Sequence, residues 1–318
     1  MSKDVGWYVN GGGKVFSTDD GGATWIQRVH KLGTFFRCVG FLDEKTGFAG
    51  NIGPDYFPDV SDDTPLYRTD DGGTTWTPVV VSGDPVKGLC AIEVVRYPFI
   101  SAGNLDTKTL LVTAGRVGGP TSLLFSHDLG KTWTAKDMAA HCGMILDVHF
   151  FSDRIGILAA ASSSDVQQSN ALILRTEDGG ATWTKVYRSA RSFETTWKIS
   201  FPTPETGYVT IQSYNPDTTA SKRFVAETTD GGKTWVELPM VDDHGVRQFG
   251  VAFVDADTGW VGAVPNGFGT TDGGKTWWKL SFGNAVNKIR VVRGDDGSTV
   301  AFAIGVGVYK LVIPAAGK

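Results

Sequence analysis

Three sets of side chains in this 318-residue chain are of types that do chemistry. Arg37, Arg247 and Arg290 could grip an anionic ligand, because a guanidinium presents a planar fork of donors. Asp147 paired with Asp55, Asp62 or Glu194 would give the two carboxyl groups that glycoside hydrolysis requires, one as acid and one as base or nucleophile. His30, His141 and His244 could hold zinc if three imidazoles converged. Spacing selects none of these. No carboxylate pair stands out, and without an HxH spacing the histidines read better as solvated or backbone-capping groups. No residue is assigned as catalytic, and a catalytic reading would rest on Asp147, Arg247 and Arg37. No metal or cofactor is expected.

The elements that must position such groups are legible. The eight residues Thr69 to Trp76 state a pattern of hydroxyl, any, Asp, any, Gly, any, Thr, Trp, which returns at 18–25, 126–133, 176–183, 228–235 and 270–277. Its aspartates are Asp20, Asp71, Asp128, Asp178, Asp230 and Asp272. A short carboxylate can accept backbone N–H bonds just downstream and fold a tight turn. Glycine at the fifth position suits a left-handed backbone. The closing Trp25, Trp76, Trp133, Trp183, Trp235 and Trp277 are apolar anchors with an N–H to satisfy. The Asp-Asp-Gly-Gly runs lack the ligand spacing and terminal Glu of an EF-hand, and Asn10-Gly11-Gly12-Gly13 lacks the Gly-Lys-Ser/Thr ending of a phosphate loop.

This pattern resembles the Asp box, or bacterial neuraminidase repeat, and six copies make the resemblance cover nearly the whole chain. It implies an all-β propeller of four-stranded blades in one domain spanning 1–318. The boxes would lie on hairpin turns away from any active site, as architecture. Box tryptophans are 51, 57, 50, 52 and 42 residues apart, the period of a four-stranded blade. A second phrase alternates with the box: Val39 to Asp43 with Gly47-Phe48, Val148 to Phe150 with Gly156, Ile199 to Phe201 with Gly207-Tyr208, and Val251 to Asp255 with Gly259-Trp260. It reads as first strand, turn and second strand. The opening Gly6-Trp7-Tyr8 aligns with Gly259-Trp260-Val261, so the chain begins on a second strand, and its tail supplies three strands. Seven blades with incomplete first and last blades fit this count, the missing strands and any export signal lying upstream of Met1. Six blades are the alternative.

A net charge of −4 gives no general attraction for nucleic acid. Ala301 to Tyr309 is too short for a membrane helix, and Met1 to Val5 has no signal-peptide core. Export to the periplasm or outside a bacterial cell is expected, with a cytoplasmic location left open, and the chain is expected to be a monomer. Cys38, Cys90 and Cys142 cannot all pair and read as buried thiols.

Under the propeller resemblance, connections from second to third and from fourth to first strand share the face opposite the boxes. Ligand-binding candidates there are Tyr56, Tyr214, Arg191 and His244 in loops. Asp147, Trp197, Lys198, Arg247 and Arg290 lie near the starts of inner strands. The phrase Gly-Trp, Gly-Gly, Thr-Asp-Gly-Gly-x-Thr-Trp, clear around 6–25 and 259–277, looks most like the photosystem II stability and assembly factor-like propellers. Some members of that group bind a membrane-protein intermediate through a basic patch. The resemblance implies a non-catalytic binding or assembly module for a protein or carbohydrate ligand. The alternative is a sialidase-like or other glycoside hydrolase, although the sialidase Arg-Ile-Pro signature is not found.

Overall fold

A computed structural model describes residues 3–101, 104–217, 219 and 223–315. Among them the chain forms seven sheets. The first joins Gly6–Asn10, Lys14–Thr18 and Ile26–His30; the second joins Phe36–Phe41, Gly47–Asn51, Leu66–Thr69 and Thr77–Pro78. The fourth (Met144–Phe150, Gly156–Ala161, Ala171–Thr176, Thr184–Arg188) and fifth (Glu194–Ser200, Gly207–Ser213, Arg223–Thr228, Val236–Val241) repeat that order. So does the sixth, Arg247–Phe253, Gly259–Val264, Gly267–Thr270 and Trp278–Leu280. The seventh has three strands, Lys288–Arg293, Thr299–Ile304 and Val308–Ile313. Seven sheets, three-stranded at each end, decide between the counts expected from sequence. All three cysteines are buried free thiols.

Each box closes the turn between third and fourth strands, or between second and third in the first sheet, by the same bonds. Thr69 Oγ1 donates to Asp71 Oδ1 at 2.8 Å and accepts from Gly73 N at 2.9 Å. Asp71 then accepts from the N–H of Thr75 at 2.9 Å and from its hydroxyl at 2.6 Å. The pattern recurs around the other five aspartates. The structure corrects one detail of the motif. The fourth position, unconstrained from sequence, is also left-handed, with φ of 69–74° at five glycines and 61° at Leu129.

The alternating phrase has a steric basis. The phenylalanine that ends or follows a first strand lies over the glycine that opens the second. A Cβ on Gly47, Gly156, Gly207 or Gly259 would stand 2.3–2.6 Å from the ring of Phe41, Phe150, Phe201 or Phe253. The residue after that glycine can reach the next sheet. Trp7 stacks on Phe41 at 3.7 Å, and Tyr208 on Phe253 at 3.6 Å. The box tryptophans add edge contacts to the same rings, Trp76 to Phe41 and Trp277 to Phe253 among them.

The third sheet departs from the repeat. Its first two strands, Ala91–Ser101 and Asn104–Gly115, are far longer than the others. Ser122–Ser126 pairs with the second of them only from Leu111 onward, so Asn104 to Leu110 form a two-stranded extension. Thr134–Asp137 follows as fourth strand, and the short Ser82–Gly83 adds parallel beside it.

Contacts divide the chain into two compact units, one of Lys3–Leu158 with Thr176–Trp183, the other of Ala159–Arg175 with Thr184 onward. In the first, apolar clusters gather Phe48, Leu66, Leu111 and Trp133, and Trp7, Phe36, Phe41 and Tyr67. In the second, one gathers Tyr208, Val225, Val251 and Phe253. Among the described residues no helix is long and apolar enough to cross a membrane.

Candidate functional site

Strand direction separates two kinds of chain end. Leu66–Thr69 enters its box at Thr69, and its other end receives the long connection 52–65. That connection is held at both ends. Buried Asn51 accepts Phe35 N at 3.0 Å and donates to the carbonyls of Asp62 and Thr64 at 2.8 and 3.2 Å. The Asp62 carboxylate takes the Tyr67 hydroxyl at 2.7 Å, Thr64 N at 3.0 Å and the Thr34 hydroxyl. Burial opposes the charge on Asp62, and the hydroxyls of Thr34 and Tyr67 outweigh it and hold the carboxyl below its ordinary range.

A loop so fixed presents aromatic surface. Phe57 stacks on Phe35 at 4.6 Å, and Tyr56 meets Phe57 edge-on at 4.8 Å. Tyr56 is 43% exposed, Phe57 36% and the nearby Leu32 81%. The Tyr56 ring lies against Gly118, where a Cβ would come within 2.5 Å of it. Lys87 donates to Asp55 at 2.9 Å on the outside of this cluster, and Arg116 lies buried beside it. Burial pushes the Tyr56 phenol up, while Arg37 and Arg116 stand near enough to oppose that rise. Connections of three sheets therefore converge in the first unit.

In the second unit Arg191 and Glu194 are closed on one another. Arg191 donates to Glu194 at 2.6 Å and by both terminal nitrogens to Glu237 at 3.0 and 2.8 Å, while lying 4.3 Å over Phe224. Tyr187 donates to Glu237 at 2.5 Å. Burial alone would depress Arg191, but the two carboxylates raise it. Burial pushes the Glu194 carboxyl up despite Arg191, and pushes the Tyr187 phenol up with the help of Glu237. A nucleophilic tyrosine needs the opposite shift. Arg223, 2% exposed, donates to the backbone carbonyls of Val246 and His244.

The remaining expected site residues are dispersed. Asp147 is buried in Met144–Phe150 in the first unit, and Arg37 is half-buried in Phe36–Phe41. In the second unit Lys198 and Trp197 are buried on one strand, with Trp197 edge-on to Phe249 at 5.3 Å. Exposed Arg247 stands 5.9 Å from the Tyr214 ring, while Arg290 and His244 are exposed. His30 is exposed and His141 half-buried in the first unit. Among the described residues no group of three or more His, Cys, Asp or Glu is placed to hold a metal. The structure thus joins Tyr56 to the surroundings of Arg37, joins Arg191 to Glu194, and brings Arg247 near Tyr214. Sequence reasoning missed Phe35, Lys87, Arg116 and Glu237. The doublet Phe35-Phe36, with one ring too many for a strand that alternates, was the one visible signal.

The box ends carry charge without a site. Asp20, Asp71, Asp178 and Asp272 are held at about 2 by the hydroxyl and then the amide of the seventh-position threonine, and Asp128 by the amide and then the hydroxyl. At Asp230 burial pushes upward and the same bonds prevail, again leaving about 2. A groove of about 520 Å³ runs past His127, Asp128, Lys136 and Gly180. Two of its charged groups are engaged, Asp128 by Thr132 and Ser126, and Lys136 by the carbonyls of Gly180 and Ala181 at 2.8 and 2.9 Å.

Seven sheets of this strand order are the decisive observation, and solved structures repeat them. The fold is a β-propeller. Similar structures include YCF48 bound to D1 peptide, at 18% identity and a TM-score of 0.64, covering 99% of this chain and 89% of that one. An ancestral GH74 enzyme matches at 12% identity and 0.65, over 97% of this chain and 43% of its own. U3-55K matches at 10% and 0.62, over 99% and 94%. No family model and no curated protein matches the sequence.

Proposed function

We propose that this chain is a non-catalytic propeller module that binds a protein segment against the loop cluster of its first unit. The observation that carries the reading is the exposed aromatic surface of Tyr56 and Phe57, backed by the half-buried Phe35, on a loop pinned by Asn51 and Asp62. Exposed aromatic rings on a pre-ordered loop give contact area at low entropic cost, which suits recognition. Two further observations support it. The carboxylates best placed for catalysis are engaged structurally, Asp62 by hydroxyls and Glu194 by Arg191. The similar fold of YCF48 has been solved with a bound peptide.

The test is a peptide array run beside a glycan array and a fluorogenic glycosidase panel. The reading predicts peptide binding that Tyr56→Ala and Phe57→Ala each weaken about tenfold or more, in the manner of aromatic hot spots. Hydrolysis in the panel, lost in a Glu194→Gln variant, would favour the second reading, a glycoside hydrolase. One feature favours that alternative: the raised Glu194 carboxyl beside Glu237, in a fold shared with an ancestral GH74 enzyme.

A further inference from the structure

A side chain beneath the aromatic surface is incompletely used. Arg116 is 2% exposed, yet its Nη1 donates to the Ile52 carbonyl at 3.1 Å and its buried Nε has no hydrogen-bond partner. A guanidinium carries five N–H donors in a fixed fork, and burying one with donors to spare is costly unless an acceptor completes it. The carboxylate whose charge acts on it, Asp55, is instead held by Lys87 at 2.9 Å. The backbone is shaped for the fork: a Cβ on Gly53 would lie 3.3 Å from Nη1, and the Tyr56 ring covers Gly118 two residues along the chain.

We propose that Arg116 is the anchor for a carboxylate of the bound segment, either an acidic side chain or a free C-terminus, taken beneath the Tyr56 ring. This rests on the binding reading above and specifies its chemistry. A carboxylate matches the planar fork with two parallel bonds, and a charge-assisted pair out of water is stronger than a neutral one. The aromatic surface supplies contact area around it, and Arg116 supplies the choice of sequence.

The probe is N-acetylglutamate, titrated into the full chain while the arginine Nε–H resonances are followed by NMR. Arg116→Lys assigns the Arg116 signal and keeps the charge without the fork. The expected result is a saturable shift of the Arg116 signal with N-acetylglutamate that N-acetylglutamine does not produce. Among array peptides, Arg116→Lys should weaken binding of acidic or free-carboxylate sequences about tenfold or more, and leave their amidated or Gln counterparts unchanged, with an unaltered melting temperature showing that the variant folds. An Arg116 signal that ignores N-acetylglutamate, or equal weakening of acidic and neutral peptides, would overturn the proposal. Peptide binding that depends on Tyr56 but not on Arg116 would sink this inference alone. Absence of any peptide binding by the wild type, with the Arg116 signal still responding, would sink the binding reading instead.

Discussion

At the scale of single residues, the box is a hydrogen-bonded staple whose variations are physically readable. The indoles of Trp76, Trp235 and Trp277 donate to the carbonyl of the fifth-position glycine at 2.9–3.1 Å. Those of Trp133 and Trp183 have no acceptor, and in both boxes that carbonyl is taken by a cation from the preceding sheet, Arg68 on Gly130 and Lys136 on Gly180. Leu129 is a second departure, a leucine at φ 61° where the other boxes have glycine. Leu129→Gly should stabilise the protein, by about 1 kcal/mol at most once the added freedom of the unfolded chain is set against the strain removed; chemical denaturation measures it, and a loss of stability would show the leucine side chain to be contributing contacts. The aspartates set an acid limit. Their folded values near 2 lie below the ordinary 3.8, so their contribution is complete above about pH 4 and is lost as pH falls through about 2. Melting temperature should therefore decline over that window, less steeply in Asp71→Asn, and a flat profile would mean that the carboxylate charges are immaterial to the turns.

At the scale of elements, the sheets follow from two recurring contacts, a pinned turn and a ring over a glycine. Both were visible in the sequence because each fixes a residue type at a fixed place: Asp and Gly in the turn, Phe and Gly across the first two strands. Gly207→Ala should destabilise by about 1–3 kcal/mol, since its Cβ would meet the Phe201 ring at 2.3 Å and the ring has packed neighbours; an unchanged denaturation midpoint would show the ring free to move aside. The third sheet was opaque for a matching reason. Ala91 to Gly115 has no glycine opening its second strand, so the phrase is absent and nothing marks an eleven- and a twelve-residue strand or their extension. The parallel strand Ser82–Gly83 is two residues long and held by bonds such as Ser82 N to the Trp133 carbonyl, which no periodicity records.

At the scale of the whole molecule, architecture was legible and the site was not, because repeated contacts leave a period while a site is assembled once. Tyr56 could be singled out as an aromatic in an overlong loop. Arg116 could not, since its burial against Ile52 and its left-over donor arise only once the chain is folded. Arg191 had the right residue type, but its partners Glu194 and Glu237 make it a clip between strands and loop. We propose a division of labour, with the aspartate turns holding the sheets and the loop cluster of the first unit meeting the partner. The most direct test compares wild type, Tyr56→Ala and Asp71→Asn on one peptide array, each at a temperature where melting shows it folded. Binding lost in Tyr56→Ala and retained in Asp71→Asn is the predicted result; binding lost through Asp71 and indifferent to Tyr56 would contradict it.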